Sequence, residues 1–157
     1  MKKLFKVLIF LLLIGMSIAL LFIGNGYNMY KEAIENMPLE EKVEEIRSKE
    51  NYAEFSELPQ MYVNAVISVE DKRFYKHNGI DIIAIGRAAI NDIKAMSYVE
   101  GGSTITQQLA KNMYFTQEKK MERKIAEVFM AWNIESHYSK EDIFELYVNN
   151  IFFGDGY

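Results

Sequence analysis

Three regimes of hydrophobic patterning follow one another along the chain. From Val7 to about Ile23 the residues are apolar without a charge. A helix made of that run would be apolar on every face and just long enough to cross a bilayer core. Lys2, Lys3 and Lys6 stand on its N-terminal side, which favours keeping that end in the cytoplasm and the rest of the chain outside. The run leads into Gly24, Asn25, Gly26 and Tyr27 with no Ala-x-Ala site, so it reads as an uncleaved anchor over residues 1–26 rather than as a signal peptide.

The second regime, residues 27–60, is acidic. Glu32, Glu35, Glu40, Glu41, Glu44, Glu45 and Glu50 dominate it, and Val43 and Ile46 supply only a thin apolar stripe. The expectation is a solvated juxtamembrane spacer closed by Pro59. The third regime begins at Met61, where apolar residues recur at helical spacing. Five helices are predicted. The first covers about 62–75, and the second 82–96 with Asp81 as N-cap. The third starts at Thr104, whose spacing to Gln107 fits a capping box, with Ile105, Leu109 and Met113 on one face. The fourth covers about 118–136 with Met121, Ile125, Val128 and Trp132 as its stripe. The fifth follows Ser139. No alternating run of useful length appears after Met61, so residues 61–157 are expected to form a mostly α domain.

Composition narrows the function. The 157 residues are half hydrophobic and a quarter charged, which is globular. A net charge of −4 gives no basic face for nucleic acid. The absence of cysteine excludes disulfides, thiolate metal ligands and a thiol nucleophile.

Four stretches can carry chemistry. In Val69-Glu70-Asp71-Lys72-Arg73-Phe74-Tyr75-Lys76-His77-Asn78-Gly79-Ile80-Asp81, Glu70 ends an apolar stretch. A partly desolvated carboxylate there would suit general acid–base work, and a surface pair with Lys72 or Arg73 is the plainer reading. His77 reads as a structural hydrogen-bonding residue. In Gly101-Gly102-Ser103-Thr104-Ile105-Thr106-Gln107-Gln108-Leu109-Ala110-Lys111-Asn112, two glycines open a capped helix whose N-terminus suits an anion. It is not a Walker A loop, and an ordinary capped helix explains it equally well. Arg123, Lys124 and Glu127 share a helix face, either as an exposed salt bridge or as cations that meet a diphosphate. From Lys140 to Gly154 the apolar residues read as core, with Asn149 and Asn150 as a cap.

In this order, behind an anchor, the four stretches resemble the family 51 glycosyltransferases. These are the transglycosylase domains of class A penicillin-binding proteins and the monofunctional peptidoglycan glycosyltransferases. Glu70 to Asp81 is similar to the family's Glu-Asp-x-x-Phe-x-x-His-x-Gly-x-Asp motif. Gly101 to Asn112 follows Gly-Gly-Ser-Thr-Ile-Thr-Gln-Gln-x-x-Lys-Asn, Arg123 to Glu127 follows Arg-Lys-x-x-Glu, and Lys140 to Gly154 follows the fourth motif.

The resemblance implies a lysozyme-like, mostly helical fold with a cleft between a larger lobe and a smaller, membrane-hugging one. It implies polymerisation of lipid II into β-1,4-linked glycan with release of undecaprenyl diphosphate. Glu70 matches the base that deprotonates the acceptor hydroxyl, and Glu127 the second carboxylate that assists at the donor diphosphate. Lys111, Lys119, Arg123 and Lys124 would meet that diphosphate. Arg87, Ser103, Thr104, Gln107, Gln108 and Asn112 would line the cleft, and Asp71, Phe74 and His77 are further substrate-binding candidates. No cofactor is required by this reading, although it leaves room for a divalent cation, Mg or Mn, for which the sequence shows no ligand spacing.

The implied partners are lipid II, the growing glycan strand, membrane lipids and other cell-wall synthesis proteins. The implied location is a bacterial cytoplasmic membrane, crossed once. A lytic transglycosylase or muramidase of the same fold is the enzymatic alternative, and a non-catalytic lipid II-binding fragment the other. The chain stops inside the fourth motif, so the domain is expected to be incomplete and inactive as it stands. Ile143, Leu146, Ile151, Phe152 and Phe153 would then lack apolar partners.

Overall fold

The structure, a computed structural model, describes residues 2–97, 101–116 and 120–151. Among these residues there are helices and turns and no strand. The helices are α1 (Lys2–Asn36), α2 (Leu39–Arg47), α3 (Gln60–Glu70), α4 (Ile82–Ala95), α5 (Ile105–Tyr114), α6 (Met121–His137) and α7 (Lys140–Asn150). Single 3-10 turns lie at Phe55–Glu57 and Phe74–Lys76. This is the mostly α architecture that the pattern predicts.

The anchor does not stop at residue 26. α1 is one 35-residue helix that runs on to Asn36, and its apolar span is the one described helix long and apolar enough to cross a membrane. Its C-terminal third is docked on α6. At Gly26 the two helices approach so closely that an added Cβ would lie 2.9 Å from the Glu122 carbonyl oxygen and closer still to the Ile125 side chain. Beyond that contact Tyr27 meets Phe129 edge-on at 5.2 Å, and Tyr30 meets the same ring at 6.0 Å. Aromatic pairs at such distances contribute beyond their buried area. The anchor therefore joins the domain as a packed helix.

The expected solvated spacer is corrected by the structure. α2 buries Leu39, Val43 and Ile46, one face of three turns, in the same core as α5, α6 and α7. Glu40, Glu41, Glu44 and Glu45 are its outward face. The many glutamates are the solvent side of an amphipathic helix, and the thin stripe between them is enough to dock it. The following loop is clamped to α7. Arg47 pairs with Asp142 at 3.0 Å. Tyr52 donates to the Glu145 carboxylate, whose other oxygen accepts from the Phe55 N–H at 2.7 Å. Burial and the neighbouring Glu145 carboxylate push the Tyr52 phenol up to about 12, so it remains a donor at neutral pH.

Asn149 donates its side-chain amide to the Glu145 carbonyl of α7 at 2.8 Å, as a helix-end residue can, and it also reaches another segment. Its amide makes a two-way pair with the Ala53 backbone, accepting from N–H at 2.9 Å and donating to C=O at 2.8 Å.

α7 also departs from expectation. Ile143, Phe144, Leu146 and Tyr147 are fully buried, because α2, the 3-10 turn at Phe55–Glu57, α5 and α6 cover them. Ile151 is half-buried, and Phe152 and Phe153 lie outside the described residues. The predicted helices at 82–96 and from Thr104 are found with their caps. The Asp81 carboxylate accepts from the N–H groups of Ile83 and Ala84, and Thr104 and Gln107 form the reciprocal capping box. α3 ends five residues before the expected 75, because Asp71 turns inward to serve another helix.

α6 keeps its helical period but not its expected phase. Ala126, Met130, Ala131 and Ile134 face the core, while Met121 and Trp132 are exposed. The reason is α1: Ile125 and Phe129 face the anchor helix, so α6 is apolar on two sides and periodicity alone does not choose between them.

α4 covers one flank with little of itself buried. Only Ala88 is fully inside, and Ile82, Ile83, Ile90 and Ile93 point outward.

Candidate active-site cleft

A cleft of about 460 Å³ opens where the end of α3, the start of α4 and the first turns of α5 converge. Glu70 and Asp71, adjacent in sequence, part company at the C-terminus of α3. Asp71 points inward and is 6% exposed. Its carboxylate takes the His77 ring nitrogen Nε2 at 2.9 Å and accepts from the Ile105 N–H, the first of α5, at 3.1 Å. An anionic side chain at a helix N-terminus satisfies a donor that has no partner within the helix. Asp71 thus fixes the start of α5 against the end of α3.

Glu70, on the other side of the chain, is exposed in the cleft and accepts one hydrogen bond, from Gln108 Nε2 at 2.9 Å. Of the two local readings, the structure shows an exposed side chain rather than a partly desolvated one.

The second motif shapes the same wall. Thr104 donates its hydroxyl to the Gly79 carbonyl at 2.7 Å while accepting from the Gln107 N–H. Gly79 sits at φ +85°, a conformation a side chain would disfavour, and this turn brings the two motifs together. Thr104 and Gln107 are each 2% exposed and their polar groups serve the helix start, with Thr104 also part of the cleft lining and Gln107 behind it. Ser103, Gln108 and Lys111 do line the cleft, and Arg87 lines it from α4. Asn112 is half-buried beyond its wall. Phe74 is wholly buried, with the Lys140 ammonium 4.5 Å above its ring, and the His77 side chain is 5% exposed against Asp71. Phe74, Asp71 and His77 therefore build the site from behind.

The third motif lies beside the cleft on α6. Glu127 is 1% exposed, and both its oxygens are taken: one by Arg123, the other by Lys124 Nζ at 2.8 Å. Lys124 Nζ also donates to Ser103 Oγ at 2.6 Å, which links this ion cluster to the cleft wall. Lys119 lies outside the described residues. Among the described residues no three His, Asp or Glu side chains converge as a metal would need.

Sequence reading misses two features. Arg73 lines the cleft and pairs with Asp81 at 2.9 Å. Burial raises the Asp81 carboxyl, but the Ala84 and Ile83 N–H groups and Arg73 outweigh it and hold it below its usual range. The eight-residue separation of Arg73 and Asp81 matches no helical spacing, so nothing local predicts their pairing. Tyr147, read only as core, reaches Gln108 with its hydroxyl, 3.4 Å from Oε1.

A helical domain whose cleft pairs an exposed glutamate with several cations suits transfer between a hydroxyl and an anionic leaving group. The transglycosylase family profile matches residues 37–157, and the chain belongs to that family. The match takes in α2, in keeping with its place in the core, and the family's lysozyme-like fold is the one expected from the motifs.

Penicillin-binding protein 1F of Bacillus subtilis is 52% identical over 101 residues, 64% of this chain and 14% of that protein. Penicillin-binding protein 1A of Aquifex aeolicus is 47% identical over 108 residues, 69% of this chain and 15% of that protein. A monofunctional glycosyltransferase of Staphylococcus epidermidis is 45% identical over 116 residues, 72% of this chain and 43% of that protein. The chain thus spans from about a seventh to less than half of these relatives' lengths.

Proposed function

We propose that the protein is a membrane-anchored peptidoglycan glycosyltransferase that polymerises lipid II into β-1,4-linked glycan and releases undecaprenyl diphosphate. The observation that carries this reading is one cleft lined by the exposed Glu70 and by Lys72, Arg73, Arg87 and Lys111. The acceptor is a neutral sugar hydroxyl, which needs a base, and Glu70 is the carboxylate open to it. As the new glycosidic bond forms, the bond from the anomeric carbon to the diphosphate oxygen breaks, and negative charge grows on the leaving group. Preorganised cations stabilise such charge.

Glu127 acts in this reading by holding Arg123 and Lys124 toward the diphosphate. Its own oxygens are occupied, so it is a positioning carboxylate at the donor side. Lys111 completes the cationic side, and the family motif adds Lys119 as a further candidate for the diphosphate. Ser103, Gln108 and Arg87 contact the sugars or phosphates, with Asn112 at the margin.

The apolar span of α1 supports membrane anchoring. Lys2, Lys3 and Lys6 before it favour a cytoplasmic N-terminus and an extracytoplasmic domain. The outward isoleucines of α4 suit a lobe resting on lipid, where the substrate is held. The growing glycan strand and other cell-wall synthesis proteins are the further partners of this reading.

The test is lipid II turnover by the protein with and without Glu70→Gln. Loss of polymer by about a hundredfold or more, with unchanged helix content, is the expected result. Retention of more than about a tenth of the activity removes Glu70 from the role of base.

A further inference from the structure

Glu70 has one hydrogen-bond partner among the described residues, and that partner has a second tie. Gln108 donates from Nε2 to Glu70 Oε2 at 2.9 Å and turns its Oε1 toward the Tyr147 hydroxyl, 3.4 Å away. Three helices supply the three groups: α3 the carboxylate, α5 the amide and α7 the phenol. A glutamine amide can present either face. If the Gln108 oxygen faced Glu70, two acceptors would meet when Glu70 is ionised. The arrangement with the NH₂ toward Glu70 leaves an oxygen that needs a donor, and Tyr147 provides it.

Tyr147 is 1% exposed, and among the described residues its side chain makes no other hydrogen bond. Burial, with the charge of Glu70 adding to it, pushes its phenol up, so it keeps its proton throughout the working pH range. A permanent donor on one side fixes the amide as a permanent donor on the other.

We propose that Tyr147, acting through Gln108, is a positioning residue that holds the Glu70 carboxylate aimed into the cleft. The inference rests on the glycosyltransferase reading for its consequence and on the Tyr147–Gln108–Glu70 juxtaposition for its existence. Asp71 makes the arrangement stiff, because its bond to the Ile105 N–H pins the α5 start one residue from Glu70. The Tyr147 backbone is held in a helix whose neighbours Ile143, Phe144 and Leu146 are fully buried. The amide is thus the one part of the relay able to flip, and the phenol decides which way.

The experiment is a double-mutant cycle in the intact protein with Tyr147→Phe and Gln108→Met, read by lipid II polymerisation across pH. Tyr147→Phe removes a single oxygen, and circular dichroism checks that the fold is kept. We expect it to lower kcat by about fivefold, the size of one net hydrogen bond, with KM unchanged. The acid limb of the rate–pH profile should move to higher pH, because a flipped amide favours the protonated carboxyl.

Added to Gln108→Met, the same change should have no further effect, since the path to Glu70 is already cut. Additive losses, or a Tyr147→Phe enzyme with unchanged kcat and pH profile, would overturn the relay. A second arm needs no turnover. The side-chain amide resonances of Gln108, assigned by their loss in Gln108→Met, should shift in Tyr147→Phe and in Glu70→Gln, and constant positions would also overturn it. If the unmodified protein forms no polymer, the glycosyltransferase reading fails, while the amide resonances still decide whether the relay exists.

Discussion

The two glutamates of the site sit in opposite surroundings. Glu70 ends α3, faces the cleft, and has one neutral donor at 2.9 Å. Glu127 lies in the middle of α6, almost wholly buried, with Arg123 on one oxygen and Lys124 on the other. The difference separates their chemistry. On the proposed reading the base must be open to its substrate, and Glu70 is the exposed carboxylate of the pair. A carboxylate neutralised by two cations is a poor base but a firm mount, and Glu127 fixes where those cations point. The same contrast appears within two residues at the end of α3, where Glu70 is exposed for reaction and Asp71 is buried to hold α5.

The contrast breaks if the two carboxylates respond alike to removal of charge. Glu127→Gln should destabilise the fold by about 3 kcal/mol, because it takes the carboxylate out of a largely buried ion cluster with Arg123 and Lys124. Glu70→Gln should change stability by less than about 0.5 kcal/mol, as for other exposed positions. Denaturant unfolding of the two variants side by side checks this, and equal midpoints would contradict the division of roles.

A second comparison, between α2 and a solvated spacer, gives the next effect. Ile46→Ala should cost about 2–3 kcal/mol if α2 is core, and almost nothing if it is not. The junction of anchor and domain gives a smaller one. Gly26→Ala forces a methyl against Ile125 and the Glu122 carbonyl, and should cost about 1–2 kcal/mol by thermal melting in detergent. A change confined to the apolar span, such as Leu12→Ala on its exposed surface, should leave the melt unmoved.

The smallest effect is pH dependence. The folded state holds the Asp81 carboxyl below its usual range. A depressed carboxyl adds stability above its unfolded pKa of about 3.9, and that stability is lost as pH falls through the lower folded value. Acid titration of the unfolding midpoint should therefore show a loss below about pH 4 that Asp81→Asn flattens. A loss of the same size in the variant would show that Asp81 is not its source.

How far the sequence foretold this arrangement depended on the range of each interaction. The helix starts at Asp81, Thr104 and Ser139 were legible because a cap and its partner lie within three residues. Glu70 was legible as a motif and its exposure agrees with the plainer surface reading, but its partner Gln108, 38 residues away, was not legible. The spacer was misjudged because charge counts weigh all faces of a helix equally, whereas three buried residues dock α2. The stripe on α6 was misjudged because two apolar faces, one for the core and one for α1, overlap in a single period. Asn149 was read as a local cap, and besides bonding the Glu145 carbonyl of its own helix it pairs with Ala53, far away in the chain. Tyr147 gave no signal at all, since its hydroxyl meets a residue 39 positions earlier.

The central claim is that this cleft joins sugars at the expense of a lipid diphosphate. It is tested most directly by the products. The intact protein, as in the double-mutant cycle, should be incubated with lipid II and, separately, with preformed glycan. The account predicts polymer from lipid II, with one undecaprenyl diphosphate released per bond formed, and no shortening of the preformed strands. Cleavage of preformed glycan, or binding of lipid II without diphosphate release, would contradict it.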